Sequence, residues 1–209
     1  MDQHVWISDL FQQSDLVIMF NSDIAEENTE QAIEALKLLK AGKPVSSDLC
    51  PRKVWNDKGR KEPARLPDLS IINGYPIISE RSAAVLRQHD LGEGAIFAIE
   101  GAYQSDRATR IAGDYFCWVF GNQKSAFLPH ESSDKQPFGV KVDGEYVRWN
   151  LPILPRDNGL AVSTAALDGP DVWVDPLLFK SVFLSDPLGD ALDQAGLGKA
   201  FRLFRCPVI

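Results

Sequence analysis

The chain has no apolar run long enough to span a membrane. Its longest runs, Leu16-Val17-Ile18-Met19-Phe20 and Tyr115-Phe116-Cys117-Trp118-Val119-Phe120, hold five and six residues, against about 20 for a membrane-spanning helix. The first residues, Met1-Asp2-Gln3-His4, lack the basic region and apolar stretch of a secretory leader. These absences predict a cytoplasmic protein that does not partner a membrane. Cysteine is equally scarce. Cys50, Cys117 and Cys206 are odd in number and far apart, with no Cys-x-x-Cys pair, which argues against a disulfide framework and a thiolate zinc site. Cys117 lies inside an aromatic run and reads as a small buried apolar residue.

Catalytic signatures are missing too. The three histidines, His4, His89 and His130, show no His-x-x-x-His spacing and no neighbouring Cys or Glu at metal-ligand spacing. His89 falls at the end of a helical stretch, where a cation suits the helix dipole, and His130 follows Pro129 in a loop. No Gly-x-Ser-x-Gly elbow and no phosphate-binding Gly-x-x-x-x-Gly-Lys-Ser/Thr loop occurs. Gly92-Glu93-Gly94 is only a fragment of a dinucleotide fingerprint, and it lies after a helix rather than after a strand. No catalytic residue, metal ligand or cofactor is therefore expected. Lys and Arg number 22 against 29 Asp and Glu, a net charge of −7. That charge disfavours nucleic acid, which needs clustered cations. It suits a basic protein partner, or simply keeps the chain soluble.

What is present is the patterning of a folded domain: 44% of residues are hydrophobic and 24% charged. A helix is predicted over residues 24–41. Asp23 or Asn28 can cap it, acids crowd its first turns, Ala32, Ile33, Leu36 and Leu39 recur at helical spacing, and Gly42 and Pro44 stop it. Leu16–Phe20 before it reads as a strand. Residues 43–67 are loop-like, with four prolines and the basic stretch Lys58-Gly59-Arg60-Lys61. Ala95–Ile99, Tyr115–Phe120, Val140–Trp149 and Val172–Val174 read as β. Asp143-Gly144 inside the third of these favours a tight hairpin. Trp118, Trp149 and Trp173 are candidate core residues.

An internal repeat is visible at an offset of 106 residues. Residues 77–92 and 183–198 share Ser79/Ser185, Leu86/Leu192, Gln88/Gln194, Leu91/Leu197 and Gly92/Gly198. In each copy two apolar residues end a strand, a Ser followed by an acid caps a helix, and a Gly stops it. Helices are predicted over 79–90 and 185–196, and the pseudo-repeat over 77–99 and 183–205. The expected fold class is α+β, a mostly antiparallel sheet with about three helices. Residues 1–60 are expected to form a strand–helix region appended to a main domain over 61–209.

Two features suggest a binding surface. Asp23, Glu26, Glu27, Glu30 and Glu34 recur at three- and four-residue steps, so one helix face can present them to a partner; the alternative is a solvated face. Trp55, in the proline-rich region, is either an exposed interface anchor or a lid on the core.

Two blocks carry a family resemblance. The first is Leu66-Pro67-Asp68-Leu69-Ser70 followed by Pro76-Ile77-Ile78-Ser79-Glu80-Arg81 and the Val85-Leu86 helix. The second is Val172-Trp173-Val174-Asp175, Val182-Phe183-Leu184-Ser185-Asp186, Ala191-Leu192 and Ala195-Gly196-Leu197. Together they resemble a family of small bacterial proteins, once grouped as a domain of unknown function, regarded as immunity proteins of polymorphic toxin systems. The resemblance covers roughly residues 66–206 and supplies no site residues of its own. It implies a non-catalytic protein of bacterial competition that binds and neutralises a cognate secreted toxin, itself basic. Alternatives are an adaptor or structural subunit of a secretion assembly, and a hydrolase with unplaced carboxylates.

Overall fold

A computed structural model describes residues 3–209; Met1 and Asp2, the start of the N-terminal stretch discussed above, lie outside the described residues. In chain order the elements are β1 (His4–Ser8), β2 (Phe20–Ser22), α1 (Asp23–Glu27), α2 (Thr29–Lys40), β3 (Lys53–Asn56), β4 (Leu69–Ile72), β5 (Tyr75–Ser79), α3 (Glu80–Leu86), β6 (Ala95–Ala98), β7 (Gly101–Tyr103) and β8 (Tyr115–Val119). There follow β9 (Gln136–Pro137), β10 (Lys141–Val142), β11 (Glu145–Tyr146), β12 (Trp149–Asn150), β13 (Val172–Trp173), β14 (Val182–Leu184), α4 (Asp186–Gln194), α5 (Gly198–Phe201) and β15 (Leu203–Pro207). The fold is α+β, and its sheets are mostly antiparallel.

Two four-stranded sheets dominate, ordered β4-β5-β8-β6 and β13-β14-β1-β15. They have the same plan. An antiparallel pair leads into a helix, and the strand after the helix returns at the far edge, leaving one position between. In the first sheet β8 fills that position, with Ile77 opposite Cys117. In the second it is filled from the other end of the sequence by β1, with Phe183 opposite Ile7. The two helix starts match atom for atom. Ser79 Oγ accepts from Ser82 N and Ser185 Oγ from Leu188 N, both at 3.3 Å. The amides of the two serines donate to Asp68 O at 3.1 Å and Asp171 O at 2.9 Å. Each of those aspartates sits in a Pro-Asp-aliphatic step, Pro67-Asp68-Leu69 and Pro170-Asp171-Val172. The helices of the two units meet, and Arg81 donates to the Ala195 carbonyl.

This arrangement corrects the expectation that residues 1–60 form an appended region. β1 pairs with β14 on one side and, over five residues, with β15 on the other. It is central because it is apolar on both faces. Val5 and Ile7 enter one core with Phe127, Trp173 and Phe183, whereas Trp6 enters the other with Leu184 and Leu188. A strand with two buried faces and two paired edges is an interior strand.

Two further expectations shift. Leu16–Phe20 is not a continuous strand. A 3-10 turn covers Ser14–Leu16, Val17 makes one bridge to Ile71, and pairing begins only at Phe20. The predicted helix over 24–41 is broken at Asn28, whose side chain accepts from Gln31 N at 3.4 Å and starts α2 anew. In the small sheet β2-β3-β7, strand β2 contacts both α1 and β4 of the first unit. No helix among the described residues is long and apolar enough to cross a membrane.

The Ile7 side chain is 1% exposed. Ile7→Ala is expected to destabilise the protein by about 2–5 kcal/mol, the range for aliphatic truncation in a packed core, read by urea denaturation. An unchanged midpoint would restore the appended-layer view.

Candidate functional site

The acidic residues singled out in the sequence do not form one face. Asp23 is buried, and its Oδ1 accepts from Ile24 N at 3.0 Å and Arg52 N at 3.1 Å. It anchors the start of α1 to the strand β3 region and is not available to a partner. Glu26 is exposed but held by Arg107, which donates to its two carboxylate oxygens at 3.1 and 2.9 Å. The break at Asn28 puts Glu27 on α1 and Glu30 and Glu34 on α2. These three remain exposed, Glu34 beside Lys37 at 3.3 Å.

Trp55 is also corrected. It lies in β3, is 8% exposed, and carries the Arg107 guanidinium 4.2 Å above its ring. The residue is a lid on the core, itself covered by a cation–π contact and the Glu26 pair. Its alternation partner in the strand, Val54, is fully buried, so both sides of β3 are occupied.

The surface that sequence patterning missed is the ribbon over residues 136–150. Gln136–Pro137 pairs with Trp149–Asn150, and Lys141–Val142 with Glu145–Tyr146. Asp143 and Gly144 close it with φ of 51° and 87°, both in the left-handed region that the tight hairpin turn requires. Neither short strand pair joins a larger sheet. The side chains toward the tip therefore have little to pack on: Val140 is 77% exposed, and Val142, Tyr146 and Val147 are exposed as well, with Tyr146 tilted against Trp149 at 6.2 Å between centroids. Ile153 and Leu154 continue this surface in the loop that follows, each at least 80% exposed. Half of the twelve exposed large apolar residues among those described lie between Val140 and Leu154.

The foot of the ribbon is built differently. Phe138 stacks on Phe179 with centroids 4.5 Å apart and planes 7° from parallel. The Trp149 amide donates to Leu177 O at 2.8 Å, and its carbonyl accepts from Phe179 N at 2.7 Å. Asp134 and Arg156 bracket the segment. Arg156 donates through Nε at 3.1 Å and Nη2 at 2.6 Å to the two Asp134 oxygens, a bidentate pair with fixed geometry.

The residues with chemical potential fall elsewhere. His4 Nε2 lies 2.8 Å from Asp186 Oδ1, and with Asp190 the three offer ligand atoms within 4.8 Å of one another. This is the one such group of three among the described residues, and a divalent cation of oxygen and imidazole preference is what it can hold. Spacing along the chain gave no hint of it, since β1 and α4 are brought together only by the sheet. His89 Nδ1 is 3.7 Å from Asp171, just after α3, and His130 sits exposed in a 3-10 turn. The cysteines are buried. Hydrogen bonding with Cys50, then burial, pushes the Cys117 thiol up, and burial pushes Cys206 up to about 12. Raised thiols are poor nucleophiles.

The Arg156 guanidinium holds the Asp134 carboxyl below the usual carboxylate range. An unfolded Asp titrates near about 3.9. The contribution of the pair to stability is thus present above that pH and lost as pH falls through the lower folded value. In Arg156→Gln the Asp134 pKa should rise, seen by carboxyl carbon NMR, and protease cleavage within residues 136–150 should quicken. An unmoved titration would show that Arg156 does not clamp the ribbon. Compared with known proteins, the chain matches no protein-family model, and no curated protein matches it significantly.

Proposed function

We propose that this is a binding protein whose docking element is the 136–150 ribbon, and that its partner is a toxin which it neutralises in the cytoplasm. The observation that carries the binding part is the apolar surface from Val140 to Leu154, raised on a clamped foot and left uncovered. Exposed apolar patches of this kind mark interaction sites. A projecting two-stranded ribbon also offers unpaired backbone edges for pairing with another chain. The toxin part rests on the family resemblance of residues 66–206 and on the net charge of −7, which suits a basic partner. Such a ribbon neutralises by entering or covering the partner's working cleft, which requires no chemistry of its own.

A second reading, an adaptor subunit of a secretion assembly, draws on the same uncovered surface. The two are separated by what is captured. Tagged protein co-expressed with its neighbouring genes should retain a partner whose lethality it suppresses. Recovery of secretion-apparatus subunits without such suppression would favour the adaptor.

With that partner in hand, Val140→Ser combined with Val142→Ser should weaken binding at least about tenfold, roughly 1.4 kcal/mol. The melting temperature should change little, because both side chains are exposed in the free protein. Full affinity in this double variant would remove the ribbon from the interface.

Glu27, Glu30 and Glu34 give a separate expectation. Reversing Glu30 and Glu34 to Lys should slow association with a basic partner at low salt and leave dissociation little changed. An unchanged on-rate would assign these acids to solvation alone.

A further inference from the structure

The foot of the ribbon forms one wall of a cavity of about 420 Å³, within the size range of small-molecule sites. The other walls are the last turn of α2 and the loop 174–179. Its interior is apolar: Val174 and Leu178 are buried, and Phe179 is pinned from behind by Phe138. Its rim is cationic, with Lys37, Lys40 and Arg148 lining it and Lys180 following the lining Phe179. This is an unexpected sign of charge in a protein of net charge −7.

Of these cations, only Lys37 is paired with an acid among the described residues, namely Glu34. Among the described residues, Lys40, Lys180 and Arg148 have no carboxylate within ion-pair distance. The one carboxylate lining the cavity, Asp175, is turned to the backbone. It accepts from Ala126 N and Phe127 N at 2.8 Å each and from Leu177 N at 2.9 Å. Nor are the lysines needed to satisfy the end of α2. Its last carbonyls accept from the amides of Ala41, Gly42 and Lys43, and Ala41 O accepts from Gln123.

Lys40 carries the clearest sign of an unmet need. It is half-buried, its ammonium sits 5.9 Å from the Phe11 centroid, and Lys180 adds like charge nearby. Burial first, and then Lys180, push the Lys40 ammonium down. Lys180 has a left-handed backbone, φ 62°, and its Nζ lies 5.6 Å from the Phe179 centroid. Two neighbouring cations beside an apolar cavity, neither with a carboxylate at ion-pair distance among the described residues, favour the binding of an anion.

We propose that this cavity binds a small amphipathic anion, with an apolar, preferably aromatic, body against Val174, Leu178 and Phe179 and a carboxylate or phosphate head between Lys40 and Lys180. The inference stands whether or not the ribbon's partner is a toxin. Head and body are both required: the cations supply charge-assisted hydrogen bonds, and the apolar walls supply the remaining affinity.

The test uses a matched set of probes on the full chain: 3-phenylpropionate, 3-phenylpropan-1-ol, 3-phenylpropylamine and acetate. Calorimetry and methyl NMR are read together. A ligand of this size binds with a Kd of about 1 mM, so titration runs to about 10 mM. 3-Phenylpropionate should saturate and shift the methyl signals of Val174 and Leu178. The alcohol and acetate should bind at least about tenfold more weakly and the amine not at all. Lys40→Met and, separately, Lys180→Gln should each weaken the propionate at least severalfold, and the Val140→Ser/Val142→Ser ribbon should bind it normally. Absence of saturation, equal binding of the alcohol, indifference to both lysine variants, or loss of binding in the ribbon variant would each overturn the proposal.

Discussion

The rest of the structure depends on β1 lying between β14 and β15. Its alternation sends Val5 and Ile7 into one core and Trp6 into the other, so the second sheet is the wall that separates two apolar clusters. Trp173 and Phe183 face the first of these, and Val172, Val182 and Leu184 the second. Removing the strand would open both sides at once. Its far end is fixed by polar contacts: Ser8 Oγ donates to Phe201 O at 2.6 Å, and the fully buried Asp9 accepts from Arg202 at 2.9 Å. A buried carboxylate is tolerated only with such a partner. Trp6 pairs with Arg205 across almost the whole chain, and closure over that separation is entropically costly. The second unit therefore cannot complete its sheet until the two ends have met, whereas the first assembles from residues 69–119.

The repeat explains where a site can arise. In the first unit β4 and β5 are joined by Asn73 and Gly74 alone, with φ of 48° and 90°, the tight turn of a two-residue hairpin. In the second unit β13 and β14 are joined by residues 174–181. The same strand pair, with the same capped helix beyond it, thus carries a turn in one copy and a cavity wall in the other. Asp175, near the start of that longer loop, ties it down by accepting from three backbone amides, those of Ala126, Phe127 and Leu177. The loop in turn supplies Leu178 and Phe179 to the cavity and the backbone groups that receive Trp149. Conserving the frame and lengthening one turn is a low-cost way to build a concavity, because frame packing is untouched.

Local chemistry was legible in the sequence and distant pairing was not. Ser79 and Ser185 announced their helices, since a capped start is written in consecutive residues, and Asp143-Gly144 announced its hairpin for the same reason. Trp118 and Trp173 were recognisable as core from the apolar strands that hold them. The role of β1 was not visible, because its partners lie nearly 200 residues away and nothing in a five-residue strand names them. The same distance hid the approach of His4 to Asp186. The acidic face failed for a local reason instead. Asn28 reads as a cap, but a cap within a periodic segment also ends the turn before it, and that separates Glu26 and Glu27 from Glu30 and Glu34. Trp55 failed because proline-rich surroundings say loop, whereas pairing of β3 with both β2 and β7 says sheet. Exposure of the ribbon was illegible in principle: Val140, Val142 and Val147 have the composition of a buried strand, and only the absence of a neighbouring sheet leaves them in solvent.

The ribbon is supported unevenly along its own length. An isolated two-stranded hairpin is marginal in water, so this one must draw its order from its foot. There the Asp134–Arg156 pair closes the ends, the Phe138–Phe179 stack covers one side, and Trp149 joins both the backbone of the 174–179 loop and the Lys135 ammonium 5.2 Å from its ring. Toward the tip these supports stop. Lys141 lies 5.1 Å from the Tyr146 centroid, an exposed contact of small energy, and Val140 touches solvent on most of its surface. Side chains at the tip add little to the stability of the free protein, yet they are apolar. Their hydration is a standing cost that the fold does not recover and that only burial against another surface can. The foot is where the sequence is constrained by folding; the tip is largely free of that constraint.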